Sequence, residues 1–424
     1  MNINPNNTIA VVGLGYIGLP LAVAFAEKGV RVYGIDVDKE KVSRLKNGES
    51  YIEDLCDVDI SKNLNNFFPT CDYSEISKAN AVIICVPTPL SKTKEPDISY
   101  IAKALKSLSP HIQTGMLIVL ESTTYPGTTE EILKPLFEGM GLRVGKDIFL
   151  AYSPERIDPG NKEYHVDNIT KVVGGITKEC TDKAVSLYRL ICNDVYPVSS
   201  PRAAEATKLL ENIFRAVNIA LVNEYAQLCH RIGIDIWEVI DAASTKPFGF
   251  MSFHPGAGIG GHCIPVDPLY ASWKAKLHNF TTRLIYLADD INRKMPEYVL
   301  FRLFEVLNER NKSIKNSKIL VLGVSYKPDI GDIRESPAVE VIRLIVEKGG
   351  QVVYNDPYIP FFDDSGNRWK SVILNEQLLK LQDIILIITK HNSYNMQWII
   401  DNAYCILDCQ CHTNGIISDR IHKL

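Results

Sequence analysis

The 424-residue sequence has no apolar run approaching the roughly eighteen residues of a membrane-spanning helix, which argues against a membrane protein. It has little excess of either charge. Lys+Arg 46 against Asp+Glu 50 leave a formal net charge of −4, too little field to hold nucleic acid or an anionic membrane. An anionic ligand would have to meet local cations. The ten cysteines (56, 71, 85, 180, 192, 229, 263, 405, 409, 411) show no framework spacing, so a disulfide scaffold is excluded and most read as small core residues. There is no short-period repeat and no low-complexity tract. The opening "MNINPNNTIAVVG" lacks a basic stretch followed by an apolar one, so it does not read as a signal peptide, and a cytoplasmic protein is expected. What is present is ordinary for a globular protein, 46% hydrophobic and 23% charged, and long enough for two or three domains.

"TIAVVGLGYIGLPLAVAFAEKGVRVYGIDVD" (8–38) reads as strand, glycine turn, helix and strand. Further apolar runs at 81–87, 116–123 and 147–155 continue the alternation and predict a doubly wound α/β domain ending near 195. "SPRAAEATKLLENIFRAVNIALVNEYAQLCHRIGI" (200–234) then predicts a long helix, with Ser200 as cap, Pro201 in the first turn and Gly233 as the stop. It is apolar on two faces, Leu209, Ile213, Val217 and Ala220 on one and Leu210, Phe214, Leu221 and Tyr225 on the other. That predicts a central helix, spanning domains or lying at a subunit interface. Helices continue to about 310. A second strand–turn–helix–strand unit starts at 317, with strands at 319–323, 351–355, 383–389 and 404–409 and a helix opening near Ser336–Pro337. The expected architecture is α/β, two Rossmann-like doubly wound domains (1–197 and 313–424) joined by a helical domain (198–312), each end domain with a crevice at its switch point.

Gly13, Gly15 and Gly18 form G-x-G-x-x-G between a strand and a helix. The first permits the tight turn, the second lets backbone approach a pyrophosphate, and the third lets helix and strand pack closely. The phosphates would lie on the helix N-terminus. Asp36 ends the second strand eighteen residues after Gly18, suited to a ribose 2′-hydroxyl and hostile to a 2′-phosphate, so NAD is favoured over NADP. A structural glycine turn with an unrelated Asp is the alternative.

Glu205, Lys208 and Asn212 share one face of the central helix. They read either as a solvated stripe or as a site wall with Lys208 as its cation. "HPGAGIGGHCIPVDP" (254–268) brings four glycines to Cys263. Taken alone, that cysteine could be a small buried residue, a metal ligand or a nucleophile. The glycines give backbone freedom to wrap an anion or sugar, and Pro265 suits a helix's first turn, where a thiol becomes more acidic. Asp267 would lie one turn away, able to position a water. His262 could be ligand, base or packing residue. Zinc would need three further ligands, and none is spaced nearby, so no metal is expected. A cysteine beside a nicotinamide cofactor suggests two linked oxidations: alcohol to aldehyde, capture as a thiohemiacetal, oxidation to a thioester, and release of the acid by water.

With these pieces in place, the chain resembles the UDP-glucose/GDP-mannose dehydrogenase family, the nucleotide-sugar 6-dehydrogenases, over almost all its length. The motifs are "VGLGYIGLPLA", "VPTPL", "ESTTYPGTT", "SPERIDPG", "EATKLLENIFRAVNIALVNE", "GIGGHCIPVDP" and "GVSYKPDIGDIRESPA", in the family's order. The resemblance implies two Rossmann-like domains bridged by a long helix that also forms a homodimer. It implies that Cys263 is the nucleophile, that Lys208 stabilises the oxyanion or moves a proton with Asn212 assisting, and that Asp267, Thr123 and Glu155 order the water. Gly13, Gly15, Tyr16, Ile17, Gly18, Asp36, Thr88, Thr123 and Arg334 would contact NAD. Glu155, Arg156, Lys208, Asn212, Phe253, Gly256, Gly258, Gly260 and Lys327 would contact the UDP-sugar. "GGHC", "SPERIDPG" and "TKPFGFMSFHPG" are most similar to the branch acting on UDP-N-acetylhexosamines, chiefly UDP-N-acetylglucosamine, an activity that feeds surface polysaccharides such as capsule and O-antigen.

There are departures. Ala257 replaces a loop proline, predicting a less rigid loop, and Gln410 stands where a substrate-phosphate arginine is expected. A metal site at Cys405, Cys409, Cys411 and His412 is disfavoured because the cluster lies at a strand end without a second ligand pair. UDP-glucose, UDP-N-acetylgalactosamine and UDP-N-acetylmannosamine are the alternative substrates. A one-step hydroxyacid dehydrogenase would leave Cys263 unexplained. A non-catalytic nucleotide-sugar binder would not need Cys263, Lys208, Asp267 and Glu155 together.

Overall fold

The computed structural model describes residues 7–52, 55–91, 93–157, 163–261, 263–416 and 418–424. The chain forms two compact units, Met1–Glu211 with Leu269–Phe280, and Asn212–Pro268 with Thr281–Leu424.

The first unit is built on eight strands: β1 (Thr8–Val12), β2 (Arg31–Ile35), β3 (Phe67–Thr70), β4 (Ala81–Ile84), β5 (Leu117–Leu120), β6 (Phe149–Tyr152), β7 (Lys171–Gly175) and β8 (Val195–Val198). Their order is β3-β2-β1-β4-β5-β6-β7-β8. All neighbours are parallel except β6 and β7, so the last two strands enter reversed, a feature absent from the sequence reading. Alternate residues feed two cores. Ile9, Val11 and Ile83 pack on one face, and Ala10, Val12 and Ile84 on the other. Coverage of both faces explains why these strands are continuously apolar rather than alternating.

The second unit continues with β9 (Lys318–Leu322), β10 (Gln351–Asn355), the hairpin β11 (Phe361–Asp364) and β12 (Asn367–Lys370), β13 (Ile384–Ile387), β14 (Ile406–Asp408) and β15 (Ile421–Lys423). Five form a parallel sheet in the order β10-β9-β13-β14-β15. The hairpin was not anticipated from the sequence. Cys405 and Cys409 are core residues of this unit, beside Leu386 and Leu407.

The central helix runs Pro201–Ile232. Ser200 Oγ accepts from Ala203 N at 3.3 Å, and Gly233 leaves the helix at φ +74, a conformation glycine adopts without strain. Leu209 and Ala220 are buried, whereas Leu210, Phe214, Leu221, Tyr225, Leu228 and Ile232 form an exposed stripe at helical spacing. Among the described residues, no helix is long and apolar enough to cross a membrane.

Candidate active site

In the first unit the parallel strands β1, β2, β4, β5 and β6 all end on one edge of the sheet. The residues just beyond them are Gly13, Asp36, Thr88, Thr123 and Glu155. In an open α/β sheet this carboxyl edge, at the point where strand order reverses, is where ligands bind, and here the reversal falls between β1 and β4.

The glycine turn is shaped as its spacing predicts. A side chain at Gly13 (φ +93) would strike Cys85 O at 2.6 Å, and one at Gly18 would strike Gly13 O at 1.8 Å. Nothing lies within 4 Å of a Cβ built on Gly15, so the turn is open where a pyrophosphate would approach. The helix starts at Gly18, with Tyr16 and Ile17 leading into it. Asp36 Oδ2 accepts from Leu14 N at 2.8 Å and Oδ1 from Asp38 N at 2.9 Å, fixing the carboxylate at the tip of β2. A cavity of about 350 Å³ adjoins the turn, lined by Gly15, Tyr16, Asp38, Lys41, Arg44 and Tyr51 among others. Tyr51 donates to Leu14 O, and Lys41 and Arg44 lie 5.6 and 5.8 Å from its ring. Tyr51, Lys41 and Arg44 were missed in the sequence, because a tyrosine and two cations past β2 carry no motif.

Further along the same edge, the Lys208 ammonium donates to the Glu155 main-chain carbonyl at 2.6 Å. Lys208 and Glu205 are both buried. Glu205 accepts from Gly127 N at 2.5 Å, Thr129 N at 2.9 Å and Thr129 Oγ1 at 2.8 Å, so it anchors the helix to the "YPGTT" turn. The polar stripe therefore combines a structural glutamate with a buried lysine at the sheet's carboxyl edge. The Glu155 carboxylate turns inward. Its Oε2 accepts from Lys171 at 2.9 Å and its Oε1 from the N–H groups of Arg156 and Ile157 at 2.7 and 2.6 Å. Burial pushes its pKa up, but Lys171, Ile157 N–H and Lys208 outweigh burial and hold the group below the usual glutamate range. Arg156 pairs with Glu211 at 2.8 Å. Thr88 O accepts from Tyr270 at 2.7 Å.

In the second unit Asn212 Nδ2 donates to Asp267 Oδ2 at 2.6 Å, with both side chains buried. Asp267 N donates to Cys263 O at 2.8 Å, closing one helical turn between them. The helix itself runs Asp267–Lys276, so Pro265 belongs to the preceding turn and not to the helix's first turn as expected. Cys263 is partly buried.

The glycine loop is tied down more than its composition suggested. A Cβ on Gly260 would lie 2.6 Å from Tyr326 Cβ, and one on Gly261 (φ +84) 2.8 Å from the Tyr326 ring. Gly258 (φ +134) similarly abuts Asn292 O and Pro337. Close packing against the turn after β9 thus requires these glycines, a reason distinct from wrapping a ligand. Ala257 is buried in the core with Met295 and Val299, which replaces the slack expected there with an anchor. Gly256 N donates to Asn223 Oδ1 at 3.0 Å, and Phe253 meets Phe214 edge-on at 5.8 Å. Beyond β9, Lys327 O accepts from Ser325 Oγ at 2.9 Å, and exposed Arg334 is paired with Asp332. Gln410, beyond β14, accepts from Lys390 N at 3.3 Å. His262 and residues 158–160 of "SPERIDPG" lie outside the described residues.

Residues 7–192, 202–294 and 320–413 match, in order, the NAD binding domain, the central domain and the UDP binding domain of the UDP-glucose/GDP-mannose dehydrogenase family. The chain belongs to that family. This nucleotide-sugar dehydrogenase is 39% identical over 355 residues (83% of each chain) to the UDP-N-acetyl-D-glucosamine 6-dehydrogenase of Pseudomonas aeruginosa. It is 35% identical over 417 residues (98% of this chain, 95% of the other) to protein CapL of Staphylococcus aureus. The structure of the UDP-D-ManNAc dehydrogenase from Pyrococcus horikoshii superposes with a TM-score of 0.90 at 33% identity, covering 98% of each chain.

The enzyme is therefore an NAD-dependent oxidoreductase, and its fold is the family's: two α/β units with parallel sheets and a long central helix. The residues at the glycine turn fit NAD. An open backbone at Gly15, a helix N-terminus and a fixed carboxylate at Asp36 offer what a pyrophosphate and a ribose require.

Proposed function

We propose that the enzyme oxidises the C6 hydroxyl of a UDP-N-acetylhexosamine, best UDP-N-acetylglucosamine, to the uronic acid, for surface polysaccharide synthesis. The observation that carries this reading is the linked set Cys263, Asp267 and Asn212, in which a thiol opens the helical turn that presents a buried, amide-held carboxylate.

Gly13, Gly15, Gly18 and Asp36, with Tyr16, Ile17, Thr88, Thr123 and Arg334, would hold NAD, which would supply the electron acceptor for both oxidations. The Lys208 ammonium stabilises the oxygen of C6 as its proton and a hydride from C6 leave to give the aldehyde, with Asn212 assisting. The Cys263 thiolate then adds to the aldehyde carbon, and the carbonyl oxygen gains a proton, giving the thiohemiacetal. Oxidation removes a hydride from C6 and the proton from its hydroxyl and leaves a thioester. Water, ordered by Asp267, Thr123 and Glu155, adds to the thioester carbon. The C–S bond breaks, the acid leaves, and the thiolate is restored. Over one turn, alcohol, water and two NAD become carboxylate, two NADH and three protons. A serine in the same place would bind the aldehyde but leave poorly, which is the chemical reason for a thiol.

The Glu155 carboxylate is engaged on both oxygens and held below its ordinary range, which makes it a poor acceptor of protons. Arg156, Lys327, Phe253 and the backbone of Gly256, Gly258 and Gly260 hold the sugar nucleotide. The exposed stripe on the central helix supports a homodimer through that helix.

The preference for an N-acetylglucosamine sugar rests on the 39% identical relative. The mannosamine epimer is the second reading, favoured by the superposed archaeal structure. Purified enzyme given NAD with each of UDP-N-acetylglucosamine, UDP-N-acetylgalactosamine, UDP-N-acetylmannosamine and UDP-glucose tests the choice. The highest kcat/KM is expected with UDP-N-acetylglucosamine, and a clear preference for another sugar would displace it.

A further inference from the structure

Behind Glu155 lies a buried ionic cluster that no step of the proposed reaction uses. Lys171, the first residue of β7, places its ammonium 2.9 Å from Glu155 Oε2 and 3.2 Å from Glu121 Oε1. Its side chain is 7% exposed, that of Glu155 7%, and that of Glu121 0%. Glu121 also accepts from the Tyr188 hydroxyl, and the Lys171 ammonium lies 5.2 Å from the Tyr188 ring. As a contribution to stability this is a poor arrangement, because desolvating three charges offsets most of their attraction, and apolar residues of like volume pack there more cheaply. The neighbouring Val172 and Val173 show that apolar side chains suit this strand.

We propose that Lys171 is a positioning residue of the active site: clamped between Glu121 and Glu155, its ammonium fixes the chain at Glu155 and, through the Glu155 carbonyl, the ammonium of Lys208. The inference rests on reading Lys208 as part of the reaction. Both Glu155 side-chain oxygens are spent inward, on Lys171 and on two N–H groups, so the group this residue offers the central helix is its main-chain carbonyl. Arg156 adds a parallel tie, donating to Thr170 O at 2.7 Å beside Lys171 and pairing with Glu211 at 2.8 Å, three residues past Lys208. The end of β6, the start of β7 and one turn of the central helix are thereby held together by charge.

Among the described residues, the groups acting on Glu155 are the cations Lys171 and Lys208 and the acids Glu121, Cys85 and Cys192, with Tyr188 behind Glu121. Burial raises Glu121, Tyr188, Cys85 and Cys192. Lys171 is held above its ordinary range, the two carboxylates outweighing its own desolvation. Removing Lys171 therefore removes the principal charge keeping Glu155 ionised.

The test follows the Glu155 carboxyl by 13C NMR of glutamate-labelled enzyme, assigned by its loss in Glu155→Gln, alongside steady-state kinetics. In the parent, Glu155 should titrate below the ordinary glutamate value of about 4.3. A parent value at or above that overturns the proposal without any variant. In Lys171→Met the titration should rise by about one unit or more, and kcat should fall about tenfold to a hundredfold while the Kd for NAD stays within about twofold. The double variant Lys171→Met/Glu121→Gln leaves no uncompensated Glu121 charge and should show the same two changes, so it decides if the single variant does not fold. Lys171→Arg should keep most of kcat. A folded neutral variant with parental kcat and an unmoved Glu155 titration would overturn the proposal. Parental turnover in Lys208→Met would instead refute the assignment of Lys208 to the reaction, and the NMR titrations would still report on the clamp.

Discussion

The side-chain amide of Asn212 donates to Asp267 at 2.6 Å across fifty-five residues of sequence, joining the central helix to the turn that opens at Cys263. An amide can donate there, whereas a carboxylate cannot. Asn212→Asp would set two carboxylates against each other in a buried place, so one must take a proton or move away. A fall in kcat of about a hundredfold with little change in the Kd for NAD is expected. Asn212→Ala should lose less, because it removes a partner without adding a charge. Equal losses in the two variants would count against Asp267 acting as a carboxylate.

Two glycines separate ligand binding from folding. Gly15→Ala meets no atom within 4 Å, so it should unfold at the parental temperature yet bind NAD at least about tenfold more weakly. Gly261→Ala must hold φ +84 with its Cβ 2.8 Å from the Tyr326 ring. It should lose about 1–3 kcal/mol of stability, read by denaturant titration, with NAD affinity intact. Gly15→Ala binding NAD normally would remove the pyrophosphate from that turn.

Stability should fall on mild acidification. Burial holds the imidazoles of His412 and His422 below their ordinary range, and His422 Nε2 has no hydrogen-bond partner among the described residues. Both are more readily protonated when unfolded, near pH 6.5. Their contribution is therefore complete above that value and is lost as pH falls from there toward the depressed folded pKa. A lower urea midpoint at pH 5.5 than at pH 7.5 is expected, with a smaller difference in His422→Phe. A midpoint that rises on acidification contradicts this.

Leu221 and Tyr225 sit in the middle of the exposed stripe on the central helix. In light-scattering chromatography the parent is expected to elute as a dimer and the Leu221→Glu/Tyr225→Glu variant as a monomer. A parent that is monomeric at micromolar concentration would refute the interface.

Much of this was legible in the sequence because it is local. Ser200–Pro201 and Gly233 bound the central helix, short apolar runs became β1, β4, β5 and β6, and Gly13, Gly15 and Gly18 turned where their spacing required. The failures share a cause. Glu121, Lys171 and Glu155 come together from three strand ends, and no periodicity links residues fifty positions apart. The reversal of β7 is likewise a property of the pairing and not of "KVVGG" itself. The glycines before Cys263 suggested a ligand-wrapping loop, and their packing on Tyr326 became visible only once Tyr326 had a place.

On the proposed mechanism, Cys263 couples two oxidations. Counting NADH formed per UDP-N-acetylglucosamine consumed, in the parent and in Cys263→Ser, tests it most directly. Two NADH per sugar are expected in the parent, with loss of that turnover in the variant. One NADH per sugar, surviving the substitution, would contradict it.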